Sequence, residues 1–246
     1  MDRIAQSQAA AKEGIAALER GENDIAGLHF LSALQRLDDL ADLGLRRALL
    51  SEIARLFLST GFHDLALMAI LDALEADRQL HLATERAADN ITYATVHLRL
   101  ANLQHADKIY RANLEDCLAA GQYGYAAGAS TNLAWMLAEN GYFEEATDLI
   151  RQGLSYFART DIPDGEMRSR AMLLHLLEVQ GTDPLQVLSE ARQLLNKFGG
   201  RLPDQLREAA AYDVKSASNR YAEKDERVDA NEYRLHEFPE LFGRRQ

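Results

Sequence analysis

Glycine recurs on a 40-residue period in this chain. Gly21, Gly61, Gly141 and Gly181 share one register, and Ala101 stands where a fifth glycine would be. Three other positions of the register also keep one type of residue. The position five residues after the mark is small: Ala26, Ala66, Ala106 and Ala146. The position nine residues after it is large, as Phe30, Ile70, Tyr110 and Ile150, and the position seven residues before it is small, as Gly14, Ala54, Ala94 and Ala134. Small residues let two helices approach, and large ones fill the space beside the contact. The period therefore predicts a stack of helical hairpins that turn at the marked residue.

The register divides most of the chain into five hairpins and a capping helix. The predicted hairpins cover residues 3–42, 45–80, 84–120, 125–159 and 166–198, and the cap covers residues 204–222. A cap would cover the apolar face that the last hairpin exposes. We therefore expect one helical repeat domain over residues 1–222, followed by a charged linker and C-terminal tail over residues 223–246.

Polar residues at the ends of hairpin one predict its local structure. Asn23 or Asp24 is expected to cap the second helix, because their side chains accept hydrogen bonds from free N–H groups at a helix start. The acidic residues Asp38, Asp39 and Asp42 are expected to end that helix and to be solvated.

The second helix of hairpin five departs from the register. Gln186 stands where alanine is expected, and the pattern resumes one residue later at Val187 and Ala191. This predicts a slip of one residue within a continuing stack. Pro184, just before, suits the first turn of a helix.

Composition argues against several classes of partner. The formal net charge is -11, whereas nucleic acids and anionic membranes reward clustered Lys and Arg. We therefore expect neither as the main partner. The single cysteine, Cys117, excludes an intrachain disulfide and suits a reducing compartment. With no predicted signal peptide or membrane span, the expected location is cytoplasmic.

Sequence motifs for catalysis and for cofactors are not found. The glycines around Gly124 lack the Lys-Ser/Thr ending of a phosphate loop, and no two histidines have metal-binding spacing beside a suitable acid. Cys117 has no neighbouring basic residue to activate it. We therefore expect no cofactor, no metal and no enzymatic activity, although an active site built across distant repeats stays open.

The fourth hairpin resembles the tetratricopeptide repeat (TPR) family. Its segment NLAWMLAENGYFEEATDLIRQGLSYF, residues 132–157, matches the family signature at eight positions: Leu133, Ala134, Leu137, Gly141, Phe143, Ala146, Ile150 and Gly153. The 40-residue period is longer than the usual 34 and lacks the closing proline. The resemblance implies an all-α, right-handed TPR-like α-solenoid of about five hairpins plus a C-terminal capping helix. It also implies a non-enzymatic adaptor or scaffold that binds a peptide or protein segment.

In the TPR family the first helix of each hairpin lines a concave groove. The register positions that face this groove vary in type along the chain, unlike the uniformly small packing positions. The predicted partner-binding residues are Arg55, Thr95, Arg99, Asn132, Trp135 and His175.

Two of these assignments have open alternatives. Trp135 is the only tryptophan and could supply stacking area to a ligand, or it could fill space between repeats. Arg55 and Arg99 could bind a carboxylate, but Glu52 and Glu139 lie among them, so a solvated face of mixed charge is the alternative.

Two other functions compete with the adaptor. A sensor or regulatory domain would use the same groove for a small peptide or metabolite, and a structural assembly subunit would use the outer face or the ends. The tail carries Leu235, Phe238, Leu241 and Phe242 at helical spacing. This segment either docks onto the repeats or onto a second copy, which would give a homo-oligomer, or is a flexible end.

Overall fold

In the computed structural model, the described residues are 3–38, 40–202, 207, 210, 211 and 214. Ten helices have their bounds within those residues, and none of those residues is in a strand. The helices are α1 (Arg3–Glu19), α2 (Asn23–Gln35), α3 (Leu43–Thr60), α4 (His63–Gln79), α5 (Ala83–Arg99), α6 (Leu103–Ala119), α7 (Tyr123–Glu139), α8 (Phe143–Phe157), α9 (Pro163–Val179) and α10 (Pro184–Phe198). Taken in consecutive pairs, they are the five predicted hairpins.

The predicted cap and tail lie almost wholly outside the described residues. Within the range 204–222, the described residues Arg207, Ala210, Ala211 and Val214 are helical, and Ala210 is buried. The tail residues Leu235, Phe238, Leu241 and Phe242 lie outside, so their docking stays a prediction.

One recurrent turn joins most successive helices, and its spacing is 20 residues, half the period seen in the sequence. One residue in each turn has a positive φ: Gly21, Gly61, His81, Ala101, Gly121, Gly141 and Gly181. The next residue donates its backbone N–H to the carbonyl five positions earlier, as Glu22 does to Ala17 at 2.9 Å. This hydrogen bond is that of the Schellman motif. Turns within hairpins and turns between hairpins therefore share one geometry.

Hairpin one ends earlier than predicted. α2 stops at Gln35 instead of Asp42, and residues 36–42 connect it to α3. Asp42 begins α3, because its Oδ1 accepts the backbone N–H of Leu45 at 3.0 Å. The prediction for Asp42 was wrong because a carboxylate satisfies the free donors at a helix start, whereas the negative end of a helix disfavours it. Asp38 pairs with Arg46 at 3.3 Å, and Asp39 lies outside the described residues.

The cap predicted at Asn23 or Asp24 was also wrong. Both residues lie inside α2, and Glu22 holds the capping position without a side-chain hydrogen bond to the helix. The Schellman turn explains this, because the N–H of Glu22 already returns to α1 and the new helix begins at the following residue.

The small and large register positions are the hairpin interior, as predicted. The alanines at positions 26, 66, 106 and 146 are fully buried, and so are the large residues Phe30, Ile70, Tyr110 and Ile150. The slip in hairpin five is also confirmed. Gln186 is exposed while Val187 and Ala191 are buried, because α10 begins three residues after its turn residue instead of two.

The chain divides into two compact units, residues 1–125 and 126–246. The core of the first unit runs from Ala10 to Val96 and includes Phe30, Phe57 and Ile70. In the second unit, Leu133, Ile150 and Leu176 are among the fully buried side chains. None of the described helices combines the length and apolarity that crossing a bilayer requires.

Candidate binding surfaces

The six predicted partner-binding residues all lie on the first helices of their hairpins. Arg55 is on α3, and Thr95 and Arg99 are on α5, within the first unit. Asn132 and Trp135 on α7 and His175 on α9 belong to the second unit. Three of the predicted residues therefore lie in each of the two units.

On the first unit, Arg55 is the most exposed of the three residues and lies near a buried acid. Half of its side chain (52%) is exposed, and its Nη1 lies 3.8 Å from Oδ1 of Asp89, whose side chain is fully buried. Asp89 is on α5, so this pair joins the first helices of two successive hairpins.

Asp89 belongs to a buried charge network that the sequence analysis missed. Arg47 on α3 donates to Asp77 on α4 at 2.6 Å and to Asp89 at 2.8 Å, and Ser51 donates to the same Asp89 oxygen at 2.5 Å. Burial raises the pKa of Asp77, an effect that Arg47 opposes. This pairing offsets part of the cost of burying charge, while Oδ2 of Asp77 and Oδ1 of Asp89 accept no hydrogen bond from the described residues. The network fixes three helices around the base of Arg55.

The hydroxyl proton of Thr95 is already used in a hydrogen bond within the protein, so it is not available to a ligand. Its Oγ1 donates to the carbonyl of Ile91 at 2.8 Å and lies 2.7 Å from the hydroxyl of Tyr110. Since Thr95 has one hydroxyl proton, Tyr110 is the donor of the second bond. Burial raises the pKa of Tyr110 to about 12, so it stays protonated. Thr95 therefore anchors α5 to α6.

Arg99 is partly buried near the first residue of α4. Burial lowers the pKa of His63, and the positive charge of Arg99 lowers it further. His63 is therefore neutral at pH 7, and Arg99 supplies the positive charge at this end of the surface.

The structure brings together two histidines that are separated in the sequence. The rings of His97 on α5 and His105 on α6 are 4.3 Å apart, and the Tyr93 hydroxyl lies 3.3 Å from Nε2 of His105. Burial, and then the proximity of His105, lower the pKa of His97. Within the described residues, no three His, Cys, Asp or Glu side chains are arranged to hold a metal ion.

On the second unit, the predicted residues lie at the edge of the core. Asn132, Trp135 and His175 are half-buried, next to the buried side chains of Leu133, Met136 and Leu176. The hydroxyls of Thr131 and Ser169 are 2.8 Å apart, which places α7 beside α9. Trp135 and His175 are therefore on neighbouring helices.

A second ion network lies in the same unit. The nearly buried Glu166 on α9 accepts from Lys197 on α10 at 2.6 Å and from Arg170 at 3.0 Å. Burial acts to raise the pKa of Glu166, but the two bonds outweigh it and the pKa is lowered. This network ties α10 to α9.

Comparison with known proteins identifies the fold. No protein-family model matches the sequence, and no curated protein is significantly similar to it. Among solved structures, aspartyl phosphate phosphatase F from Bacillus subtilis is similar with a TM-score of 0.71 and 11% identity, over 89% of this chain and 56% of that one.

Two further solved structures are similar to this chain. The Rap conjugation gene regulator of plasmid pLS20, in complex with the Phr* peptide, has a TM-score of 0.59 and 16% identity, over 94% of this chain and 62% of that one. A signal transduction ATPase with a tetratricopeptide repeat sensor, from Pyrococcus horikoshii, has a TM-score of 0.67 and 14% identity, over 98% of this chain and 38% of that one. This chain spans less than two thirds of each of the three. The likeness shows an all-α, TPR-like helical repeat fold, as the sequence predicts.

Proposed function

We propose that this TPR-like chain is a non-enzymatic binding protein that holds a peptide or protein segment against the first helices of its hairpins. The observation that carries the proposal is the half-exposed Arg55, whose Nη1 lies 3.8 Å from a fully buried carboxylate. Its exposed guanidinium can donate paired hydrogen bonds to the carboxylate of a ligand. Arg99 adds a second positive charge to the same unit.

The partner that suits this surface is an acidic segment or a chain with a free carboxylate. The surface on the second unit, with Asn132, Trp135 and His175, offers an amide, an aromatic ring and an imidazole, which suit main-chain and apolar groups. The comparisons support the class of ligand, because the plasmid regulator with this fold is in complex with a peptide.

The alternatives use the same fold differently. A sensor would bind a small peptide or metabolite on these surfaces, and the ATPase with a TPR sensor favours that version. A structural subunit would form homo-oligomers through its ends or its tail.

The test begins with peptides selected from a random-sequence phage library on the full chain. We expect the binders to be enriched in Asp, Glu or C-terminal carboxylates, and Arg55→Gln to weaken them about tenfold or more in fluorescence anisotropy. Arg78→Gln is the matched control, because Arg78 is an exposed arginine on α4 that pairs with Glu75. Equal weakening by both variants, or none by Arg55→Gln, would contradict the proposal.

A further inference from the structure

Hairpin three contains an open cavity between α5 and α6, away from Arg55. Its volume is about 340 Å³. Its lining includes Arg86, Ala87, Asn90, Asn113, Asp116 and Cys117. Pockets that bind small molecules begin at about this volume, roughly 300 Å³. The cavity lies where the first turns of α5 face the last turns of α6, at the open end of the hairpin.

The repeats show why the cavity is in this hairpin. Ala87 and Cys117 occupy the register positions that Arg47 and Asp77 hold in hairpin two, where the two side chains meet at 2.6 Å and fill the space. In hairpin four the position of Cys117 is taken by Phe157, which is buried. Hairpin three therefore has two small residues where the neighbouring hairpins have an ion pair or an aromatic ring.

The floor of the cavity is polar, whereas the same register positions are apolar in hairpins one and two; hairpin five has Arg170 at the position of Asn90. Asn90 and Asn113 stand in the register of Leu50 and Ala73 of hairpin two. Asn113 is 2% exposed, donates to the carbonyl of Ala87 at 3.0 Å and accepts from Asn90 at 3.3 Å. The buried amide of Asn113 thus has its hydrogen-bond partners within the hairpin, and Asn90 is the cavity-lining amide that can meet a ligand.

Asn90 has unused hydrogen-bonding capacity. One of its two N–H groups is donated to Asn113, which leaves its carbonyl oxygen and its second N–H for another partner. A donor and an acceptor on one amide match those of a second amide. Arg86 and Asp116, both exposed, place opposite charges around the same cavity.

We propose that this cavity binds a small zwitterion that carries an amide, of the size of glutamine or a dipeptide. Asn90 pairs with the amide of the ligand, Arg86 binds its carboxylate, and Asp116 binds its ammonium group. Cys117 takes no covalent part: it is 1% exposed, and burial raises the pKa of its thiol to about 11. The site is therefore one of binding and not of nucleophilic chemistry.

The experiment titrates glycylglycine and L-glutamine into the full chain and follows them by saturation-transfer NMR and by thermal unfolding. We expect at least one of the two to bind with a Kd of about 1 mM or tighter. At ten times that Kd, the melting temperature should rise by about 3 °C. Acetate and ethylamine, which carry the two charges separately and have no amide, are the control probes.

Two substitutions at the cavity introduce the residue that another hairpin has at the same register position. Asn90→Leu takes the residue of hairpin two and should weaken binding at least tenfold. Cys117→Phe introduces the residue that hairpin four has at this position and fills the cavity, so it should also weaken binding at least tenfold. It takes the place of Asn90→Leu if that variant does not fold. Asn23→Leu, an exposed site on α2, should change nothing. The proposal is overturned if neither probe binds the wild type, if acetate or ethylamine binds equally well, or if the folded cavity variants bind like the wild type.

Discussion

Gly14 on α1 lies directly against the ring of Phe30 on α2: a Cβ at position 14 would be 2.4 Å from Cε1 of Phe30. The ring has no room to withdraw. It is fully buried, and its centroid is 4.9 Å from that of Phe57 and 5.1 Å from that of Phe62. The glycine therefore sets how closely the two helices of hairpin one approach.

Gly14→Ala should destabilise the protein by about 1–3 kcal/mol through overpacking, although alanine forms helices better than glycine by about 1 kcal/mol. The measurement is the urea midpoint of unfolding. Gly44→Ala is the control, because a Cβ there would lie 3.5 Å from Oδ1 of Asp42, an ordinary contact. That variant should be neutral or more stable, and an equal loss in both would show that α1 and α2 are not packed in this way.

Ala101 adopts a left-handed conformation, with φ of 61°, at the turn of hairpin three. That conformation costs an L-residue about 1–2 kcal/mol, and glycine avoids the cost but adds entropy to the unfolded chain. Ala101→Gly should therefore raise the free energy of unfolding by about 0.5–1 kcal/mol. Ala120→Gly, at an exposed residue with right-handed helical angles, should lower it by a similar amount. A loss of stability in Ala101→Gly would contradict the assigned turn.

The lowered pKa of His97 makes the stability of the protein depend on pH. Its folded-state pKa is lowered, so the unfolded chain binds the proton more readily, and stability falls as pH drops below the ordinary histidine value of about 6.5. His63 has the same sign. Each histidine changes the slope of the unfolding free energy against pH by at most about 1.4 kcal/mol per pH unit.

Urea unfolding between pH 8 and about pH 5.5 measures this slope, in a range above most carboxylate titrations. His97→Leu copies Leu137 of hairpin four, which is buried, and removes the group from the titration. We expect the variant to lose less stability on acidification than the wild type. An identical pH profile in the two proteins would show that His97 titrates as it does in the unfolded chain.

Trp135→Ala should weaken binding of the selected peptides by about 2 kcal/mol or more, as hot-spot aromatics do, and should leave helicity nearly unchanged. Circular dichroism and fluorescence anisotropy measure the two effects. Met136→Ala, a buried neighbour on α7, is the matched control and should instead cost about 2–5 kcal/mol of stability. Large destabilisation of Trp135→Ala with retained binding would show that the indole is part of the core.

The hairpins could be predicted because one register specifies both their turns and their packing. Gly61 takes the left-handed turn and Ala66 the close helix contact, so each supports the other. The connection 36–42 could not be predicted, because the register marks no turn between Gly21 and Gly61 and no local pattern shows that α2 stops at Gln35. Helix ends depend on which side chain satisfies the free backbone groups, and here Asp42 does.

The sequence placed the candidate binding residues on the first helices of their hairpins, but it did not show which side chains they contact. The register identified Arg55 as a surface residue, but its acceptor, Asp89, lies on another hairpin, and no periodicity links the two. One signal was present and missed. Asp77 stands in the register of Leu37, Cys117 and Phe157, and a charged residue among buried positions indicates a buried partner.

The contacts of Arg47 have a consequence for how the first unit opens. One guanidinium bonds to acids on two further helices, α4 of its own hairpin and α5 of the next. Separating either helix from α3 would break a charge-assisted hydrogen bond of Arg47, so one side chain couples the opening of all three helices. Hairpins two and three should therefore exchange their amide hydrogens together, as one cooperative foldon, instead of fraying one repeat at a time.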